Sequence, residues 1–232
     1  MILSTICPPR LNNLIHLIYL VYFKIVFTLV VLLVTSFLFS PVAKSQNTKE
    51  YYPSGSLKAV GQMIDEKKEG PWVYYYPNGT VSARENYRDG DLSGEVSYYD
   101  PEGNLTGLEK WEAGLLEDSA VYYFPNGQVE MTGSYRDGLY EGQWLFFYEN
   151  GNNKRIGHYQ EGLPHGEWEF YYEDGTLHQT GAFKQGLETG TWKFYDKKGR
   201  LEYLGAYTDG NKTGDWYFYR KNGEREKIKI RD

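Results

Sequence analysis

Hydrophobic residues along the chain follow two different patterns. Residues 14–39 are almost wholly apolar, whereas from residue 51 onward short runs of Tyr, Phe, Trp and Val alternate with glycines and polar residues. Such short aromatic and β-branched runs between turn residues are typical of β-strands. No helical periodicity is visible after residue 45. The pattern therefore predicts an N-terminal apolar helix followed by an all-β region.

The β region is organised by a repeat of 24 residues. Three glycine columns recur at this interval, and no insertion or deletion interrupts them between residues 55 and 223. The first column holds Gly55, Gly79, Gly103, Gly127, Gly151, Gly175, Gly199 and Gly223; the second holds Gly90, Gly114, Gly138, Gly162, Gly186 and Gly210; the third holds Gly70, Gly94, Gly142, Gly166, Gly190 and Gly214. Self-similarity at a fixed period is the signature of a tandem-repeat architecture.

Each repeat contains signals for two turns. Asn-Gly pairs such as Asn150-Gly151 predict two-residue hairpin turns in which both central residues have positive φ. Asp-Gly pairs such as Asp137-Gly138 mark the turns at the opposite end of the strands. Each repeat is thus predicted to be a β-hairpin. About seven and a half repeats give about fifteen strands in one elongated, twisted antiparallel sheet.

A tryptophan column follows the third glycine column by two residues. Counting outward from the Asn-Gly turns places Trp144 opposite Gly157, and the same count pairs Trp168 with Gly181 and Trp192 with Gly205. We interpret each pair as an indole covering the glycine that it faces. The structural repeat positions are Trp72, Trp144, Trp168, Trp192, Trp216, Gly79, Gly127, Gly151, Gly175 and Gly223.

The same counting from the turns shows that some repeats lack the Trp–Gly pair. Trp72 faces Glu85, and Trp216 faces Lys229. Val96 replaces the tryptophan in one repeat and faces Glu109, and Ala120 replaces it in the next. The irregular repeats have two interpretations. They mark a bend or a functional site in the sheet, or they result from sequence drift alone.

Two adjacent aromatic columns lie on opposite faces, because side chains alternate along a strand. One of them drifts from Tyr to Phe, ending in Phe146, Phe170, Phe194 and Phe218, and is expected to be the more buried. The other keeps a phenol at six of seven positions, as expected of a face that contacts water or a ligand. These residues either pack only on one another or bind a partner: Tyr75, Tyr99, Tyr123, Phe147, Tyr171, Tyr195 and Tyr219.

Composition narrows the functional classes. The net charge is −6, with 31 acidic and 25 basic residues, which argues against a nucleic-acid partner. Cys7 is the only cysteine, so later residues form no disulfide and no cysteine site. The histidines match no metal-ligand spacing, and no catalytic motif is present. We expect a noncatalytic protein without cofactor or metal.

The N-terminal segment has the features of an export signal. Basic residues, an uncharged run over residues 25–39 and the small residues around Ser45 precede Gln46. Residues 1–45 are predicted to be a signal peptide or an uncleaved membrane anchor, and residues 46–232 the repeat domain, with a charged C-terminal edge at 224–232. The domain is then secreted, periplasmic or otherwise in the cell envelope, anchored in the inner membrane if the segment is not cleaved.

The columns G-x-W-x-F-Y, N-G and G-x-Y-x-x-G, over residues 51–223, resemble the MORN-repeat variant family of bacteria. The resemblance implies one β-hairpin per repeat, and some relatives are linked to lipid or protein scaffolding. Many such proteins resemble the YwqK-type antitoxins that accompany secreted toxins, and others are envelope proteins.

Three functions follow as hypotheses. The first is a noncatalytic exported scaffold that binds a protein, or a glycan, in the cell envelope. The second is an antitoxin or immunity protein, for which the net charge of −9 in residues 46–232 suits a basic toxin. The third is a membrane-surface module, although negative charge disfavours anionic lipids; otherwise only the N-terminal segment would contact a membrane.

Overall fold

The computed structural model describes residues 19–26, 28 and 44–229, and divides into units of residues 1–43 and 44–232. In the first unit, residues 19–26 and 28 are helical. The rest of the predicted signal or anchor helix lies outside the described residues. Within the described part of the chain, no helix is both long and apolar enough to cross a membrane.

The second unit is one open antiparallel sheet in which each strand pairs with its sequence neighbours, as predicted. Its seventeen strands are β1 (Ser45–Tyr51), β2 (Leu57–Ile64), β3 (Lys67–Tyr75), β4 (Val81–Arg88), β5 (Asp91–Leu92), β6 (Gly94–Tyr99), β7 (Leu105–Glu112), β8 (Leu115–Tyr123), β9 (Val129–Arg136), β10 (Leu139–Phe147), β11 (Asn153–Gln160), β12 (Leu163–Tyr171), β13 (Leu177–Lys184), β14 (Leu187–Tyr195), β15 (Leu201–Thr208), β16 (Asn211–Tyr219) and β17 (Arg225–Ile228).

The predicted count of about fifteen strands was too low for two reasons. β1 precedes the first repeat and pairs with β2. β5 and β6 are two parts of one strand that is interrupted at Ser93, and both pair with β4. At the interruption, Asn86 donates from its side chain to the Ser93 carbonyl at 2.9 Å, which satisfies a group that the ladder leaves unpaired.

The turn type predicted for the Asn-Gly pairs was wrong. At Asn150-Gly151 only Gly151 has positive φ, at 85°, and the Gly151 N–H bonds the Tyr148 carbonyl. This is a three-residue turn closed by a glycine bulge. At Asp137-Gly138 both residues have positive φ, 52° and 77°, as a two-residue type I′ turn requires.

Side chains from one Asn-Gly turn bond the next repeat. The Tyr148 hydroxyl donates to the Tyr171 carbonyl at 2.8 Å, and the Asn150 amide donates to the Glu173 carbonyl at 2.8 Å. Pairing between β11 and β12 ends at Arg155–Phe170, so these carbonyls lie beyond the ladder. The two side chains thus supply donors to carbonyls that the ladder leaves unpaired, and they extend the contact between hairpins to the turn.

The predicted register of the tryptophan column is confirmed inside the sheet and wrong at its C-terminal end. Trp144 pairs with Gly157, Trp168 with Gly181 and Trp192 with Gly205. Trp216 pairs with Ile228 rather than Lys229. The earlier hairpins contain a bulge that adds one residue to the second strand, and the β16–β17 pair has none.

The glycine that each indole covers was also misassigned. Gly157, Gly181 and Gly205 each lie between two tryptophans, and the ring over each of them comes from the following strand. A Cβ added at Gly157 would overlap the Trp168 indole, and one at Gly133 would overlap Trp144. The five indole-on-glycine contacts are Trp72 on Gly61, Trp144 on Gly133, Trp168 on Gly157, Trp192 on Gly181 and Trp216 on Gly205.

The indole also satisfies a backbone group. β9 and β10 shift register between Glu141 and Leu145, where Gly142 adopts a φ of 68°. Across this bulge the indole N–H of Trp144 (Nε1) donates to the backbone carbonyl of Ser134 at 3.0 Å. One side chain therefore fills the space over a glycine and bonds a carbonyl beside the bulge.

Burial is confined to one side of the sheet, which we call the Trp face. Among the residues that the structure describes, all ten buried hydrophobic side chains lie on it: Ala59, Trp72, Ala83, Val96, Ala120, Trp144, Phe146, Trp168, Trp192 and Trp216. Aromatic neighbours on the same face enclose each indole. For Trp144 they include Tyr140 and Tyr135, edge-on at centroid distances of 4.3 and 5.1 Å.

The two repeats without tryptophan have also lost the glycine. Glu85 stands at the glycine position that belongs to Val96, and Glu109 at the one that belongs to Ala120. In a regular repeat the indole fills the space that the glycine leaves free. In the two irregular repeats both positions differ: Val or Ala stands in place of the tryptophan, and Glu stands in place of the glycine. The irregular repeats therefore keep the backbone register and replace an apolar contact by a polar one.

We predict that Gly157→Ala lowers the free energy of unfolding by about 1–3 kcal/mol, because the new methyl group displaces the Trp168 indole. Gly107→Ala is the control, since Gly107 is also in a strand on the Trp face, but a Cβ there meets the Tyr122 and Tyr98 rings only at 3.2 and 3.4 Å, whereas one at Gly157 would overlap the Trp168 indole. Urea unfolding of both variants measures the difference. Equal losses would show that the indole is not held against Gly157.

We also predict that Ala120→Trp and Glu109→Gly are coupled by at least about 1 kcal/mol, because the indole needs the space that the Glu109 side chain fills. A double-mutant cycle in urea measures the coupling. Ala120→Trp combined with Glu85→Gly is the matched control and should be additive, since Glu85 belongs to the other irregular repeat. Additivity of both pairs would contradict the shared space.

Candidate functional site

The candidate binding residues form one row across the face opposite the Trp face. We call Tyr75, Tyr99, Tyr123, Phe147, Tyr171, Tyr195 and Tyr219 the aromatic row. Each lies three residues after the tryptophan position, which places it on the other face of its strand. Within each hairpin its register partner is in most cases aliphatic, as in Tyr75–Val81 and Tyr123–Val129. The structure thus brings the predicted residues together as one continuous row.

The aromatic row is accessible to a partner. All seven side chains are half-buried, in contrast to the fully buried indoles of the Trp face. Among the residues that the structure describes, the hydroxyls of Tyr75, Tyr99, Tyr123 and Tyr195 form no hydrogen bond. These four phenols present free donors beside apolar ring surface, as residues at recognition surfaces do.

Two phenols of the row are engaged by charged neighbours. The Tyr171 hydroxyl donates to Glu169 at 2.5 Å, and burial together with this carboxylate raises the pKa of Tyr171 to about 12. The Tyr219 phenol interacts with Arg225 and raises the pKa of that guanidinium. The free donors are therefore concentrated in the N-terminal half of the row.

The backbone of the row is held by the preceding repeats. Tyr52 donates its hydroxyl to the Tyr75 carbonyl and Tyr76 to the Tyr99 carbonyl, both at 2.8 Å. These bonds fix the positions at which consecutive rings of the row emerge. The spacing of the rings therefore follows the spacing of the repeats.

A second row lies beside the aromatic row on the same face, formed by the residues two positions before each member of the aromatic row and by their register partners. Its charge changes along the sheet. In its middle it is uncharged and mostly aliphatic, with Leu108, Val121, Thr132, Leu145 and Ile156 in register. Toward the C-terminus it becomes charged, as at Glu169, which pairs with Ile156. The central part of this face is consequently an uncharged surface around Tyr123 and Phe147.

The other aromatic column, predicted to be the more buried, lies on the Trp face. Phe146 is fully buried there, and the remaining members, such as Tyr74 and Phe170, are half-buried. Its phenols bond other side chains. Tyr74 and Tyr87 share a hydrogen bond at 3.1 Å, and Tyr122 donates to Glu109 at 2.6 Å. This column contributes to the core.

A polar cluster at the irregular repeats was not predicted as such. Glu109 is buried, and its two oxygens accept hydrogen bonds from Tyr122 at 2.6 Å and Trp111 at 2.9 Å. Burial and the Glu109 charge raise the pKa of Tyr98. Loss of glycine in the same two repeats that lose tryptophan was the signal in the sequence.

Glu85 forms the matching contact in the previous repeat. Tyr87 donates to it at 2.5 Å, and burial followed by this bond raises the pKa of Tyr87 to about 12. Because donors from their own face satisfy these carboxylates, we interpret the cluster as a replacement for apolar packing.

Metal-ligating residues do not converge in the described part of the chain. His158 lies opposite His165 across β11 and β12. However, no group of three or more His, Cys, Asp or Glu side chains there could hold an ion.

Comparisons with known proteins identify the repeat and little else. No curated protein matches the chain. The crystal structure of a GtfA/B complex bound to UDP and GlcNAc aligns at 10% identity and a TM-score of 0.22, over 61% of this chain and 24% of that one. The crystal structure of TcdB2-TccC3-Cdc42 aligns at 12% identity and a TM-score of 0.22, over 80% and 13%. This chain thus spans a quarter or less of either structure, and similarity at this level carries no argument about fold or function.

The repeat itself is matched by a family description, MORN repeat variant. The matches cover residues 68–89, 119–137, 140–161 and 164–185. Each begins on the strand that carries the tryptophan position and continues into its partner strand. They agree in period with the glycine and tryptophan columns, and the same hairpin continues on both sides of them. Four repeats of this tandem-repeat chain therefore match the MORN repeat variant family.

Proposed function

We propose that the chain is a noncatalytic scaffold that binds an extended segment of a protein partner along the aromatic row. The observation that carries the proposal is the difference between the two faces of the sheet. In the described sheet, all buried hydrophobic residues lie on the Trp face. The opposite face nevertheless repeats an aromatic side chain in every hairpin.

Packing alone does not account for the phenols of this row. Where aromatic side chains only fill space, as at Phe170, Phe194 and Phe218 on the Trp face, the chain uses Phe. In the aromatic row Tyr is kept at six of seven positions, and four hydroxyls are without a partner in the described structure. Aromatic residues with a polar tip are enriched at interface hot spots and lose little rotamer entropy on binding.

An extended occupant fits the geometry of the surface. The row crosses every hairpin, so its length exceeds its width several-fold. A peptide segment can follow such a row and contact many repeats at once. A glycan with stacked sugar rings is the alternative ligand for the same row.

The proposed location is the cell envelope, on the evidence of the apolar N-terminal sequence. A role as an antitoxin stays a second hypothesis, favoured by the excess of acidic over basic residues. Identification of the partner separates the two, because an antitoxin would retain a toxin and a scaffold would retain a structural component of the envelope.

We expect Tyr123→Ala combined with Tyr171→Ala to reduce capture of the partner by at least about tenfold, since both rings are lost from the row. Capture is measured in cells of the source organism by crosslinking the full chain and purifying it by affinity. A photo-crosslinking amino acid at position 123 should label the same partner.

Leu163→Ala combined with Leu187→Ala is the matched control. Both leucines are 48% exposed and lie away from the aromatic row, at the first position after a type I′ turn. This variant should capture the partner normally, and circular dichroism should show that both variants fold. Unchanged capture by the tyrosine variant would reject the aromatic row as the binding surface.

A further inference from the structure

The spacing of the aromatic row limits the conformation of a ligand that can follow it. Consecutive rings are two strands apart, and strands lie 4.7–4.9 Å apart, so the rings repeat every ~9.4–9.8 Å. A polyproline II helix has three residues per turn and a rise of 3.1 Å, so one of its edges repeats every ~9.3 Å. Such a segment can offer an equivalent residue to each hairpin.

Other regular conformations fit less well. An α-helix returns to the same face after seven residues, or ~10.5 Å, and falls out of step by about 3–4 Å over four repeats. A β-strand advances ~10 Å in three residues but then presents its opposite face. Over the same four repeats the polyproline II segment is out of step by about 0.4–2 Å.

The chemistry of the row agrees with its spacing. Backbone carbonyls in polyproline II make no internal hydrogen bond and accept from outside. Tyr75, Tyr99 and Tyr123 are consecutive members of the row with unengaged hydroxyls, and so provide one donor per turn. The half-buried rings leave flat apolar surface for pyrrolidine rings, as in aromatic-lined grooves that bind proline-rich segments.

The charge distribution favours an uncharged ligand in the centre of the sheet. Between Tyr99 and Phe147, the register partners in the row are Leu105 and Val129, and the adjacent row contributes apolar residues such as Val121. No charged residue occupies these positions of the two rows. A charged segment would lose hydration here without finding a partner charge.

From these observations we propose that the aromatic row binds a proline-rich segment in the polyproline II conformation, with a proline at every third residue. The inference rests on the proposed function and adds the chemical class of the partner. Prolines of one edge would stack on consecutive rings, and the phenols would donate to the carbonyls between them.

The test is binding of labelled peptides to the full chain, measured by fluorescence polarisation. One peptide carries proline at every third residue over fifteen residues, and a second has the same composition with the prolines at irregular intervals. We expect the periodic peptide to bind at least tenfold more tightly. Equal binding of the two peptides, or binding of neither, overturns the proposal.

Three variants test the residues. Tyr99→Ala combined with Tyr123→Ala should weaken binding of the periodic peptide at least tenfold. Tyr123→Phe should weaken it only about fivefold, because it removes one hydrogen bond and keeps the ring. Leu163→Ala should leave it unchanged, and an equal loss in this control would contradict binding at the row.

Failure of this proposal is distinguishable from failure of the proposed function. If no proline-rich peptide binds while crosslinking through position 123 still captures a partner, the ligand class is wrong and the surface is right. If the substitutions at Tyr123 and Tyr171 also leave capture unchanged, both proposals fail.

Discussion

The stacking of each tryptophan on the glycine of the preceding strand is the contact on which the sheet depends. In the part of the chain that the structure describes, the repeat domain is one layer of strands, without a second layer over it. Side chains can then be buried only by neighbours on the same face. The absent Cβ of Gly133 lets the Trp144 indole lie against the backbone, where it is fully buried. Burial of one such ring contributes about 4–6 kcal/mol before the entropy cost of ordering it.

The same contact accounts for the asymmetry of the sheet. The bulge at Gly142 leaves the Ser134 carbonyl to the indole N–H, so the ring and the bulge depend on each other. Once the Trp face supplies burial in every repeat, the opposite face is free of this requirement. Its residues can vary with the ligand, which is how repeat proteins separate stability from recognition. The aromatic row is the part of that face that nonetheless stays constant.

Periodicity made much of the fold predictable from the sequence, because one correct hairpin specifies all the others. The pairing of Trp144 with Gly157 followed from counting along a single hairpin. Counting within a hairpin could not show that Trp168, from the next one, covers Gly157. That contact depends on the bulge between hairpins. Likewise, Asn-Gly suits both a type I′ turn and a glycine bulge, and the bulge in the following strand decides between them.

The candidate site was predictable in position but not in its polar surroundings. Alternation along the strand was sufficient to separate the aromatic row from the Trp face. The carboxylate of Glu109 was considered only as an exception to a Trp–Gly pair. Its donor Trp111 is two residues away on the same strand, but its second donor, Tyr122, lies on the next strand and becomes a neighbour only through the register of the sheet.

The irregular repeats show how little the opposite face depends on the packing beneath it. Replacing an indole and a glycine by Ala120 and Glu109 exchanges an apolar contact for a hydrogen-bonded carboxylate. The register of β6, β7 and β8 around them is nevertheless that of the regular repeats. Tyr99 and Tyr123 therefore keep their places in the aromatic row, and they flank its least charged section. A ligand that reads the spacing of the row would meet no interruption there, although the core below it has changed from aromatic to polar.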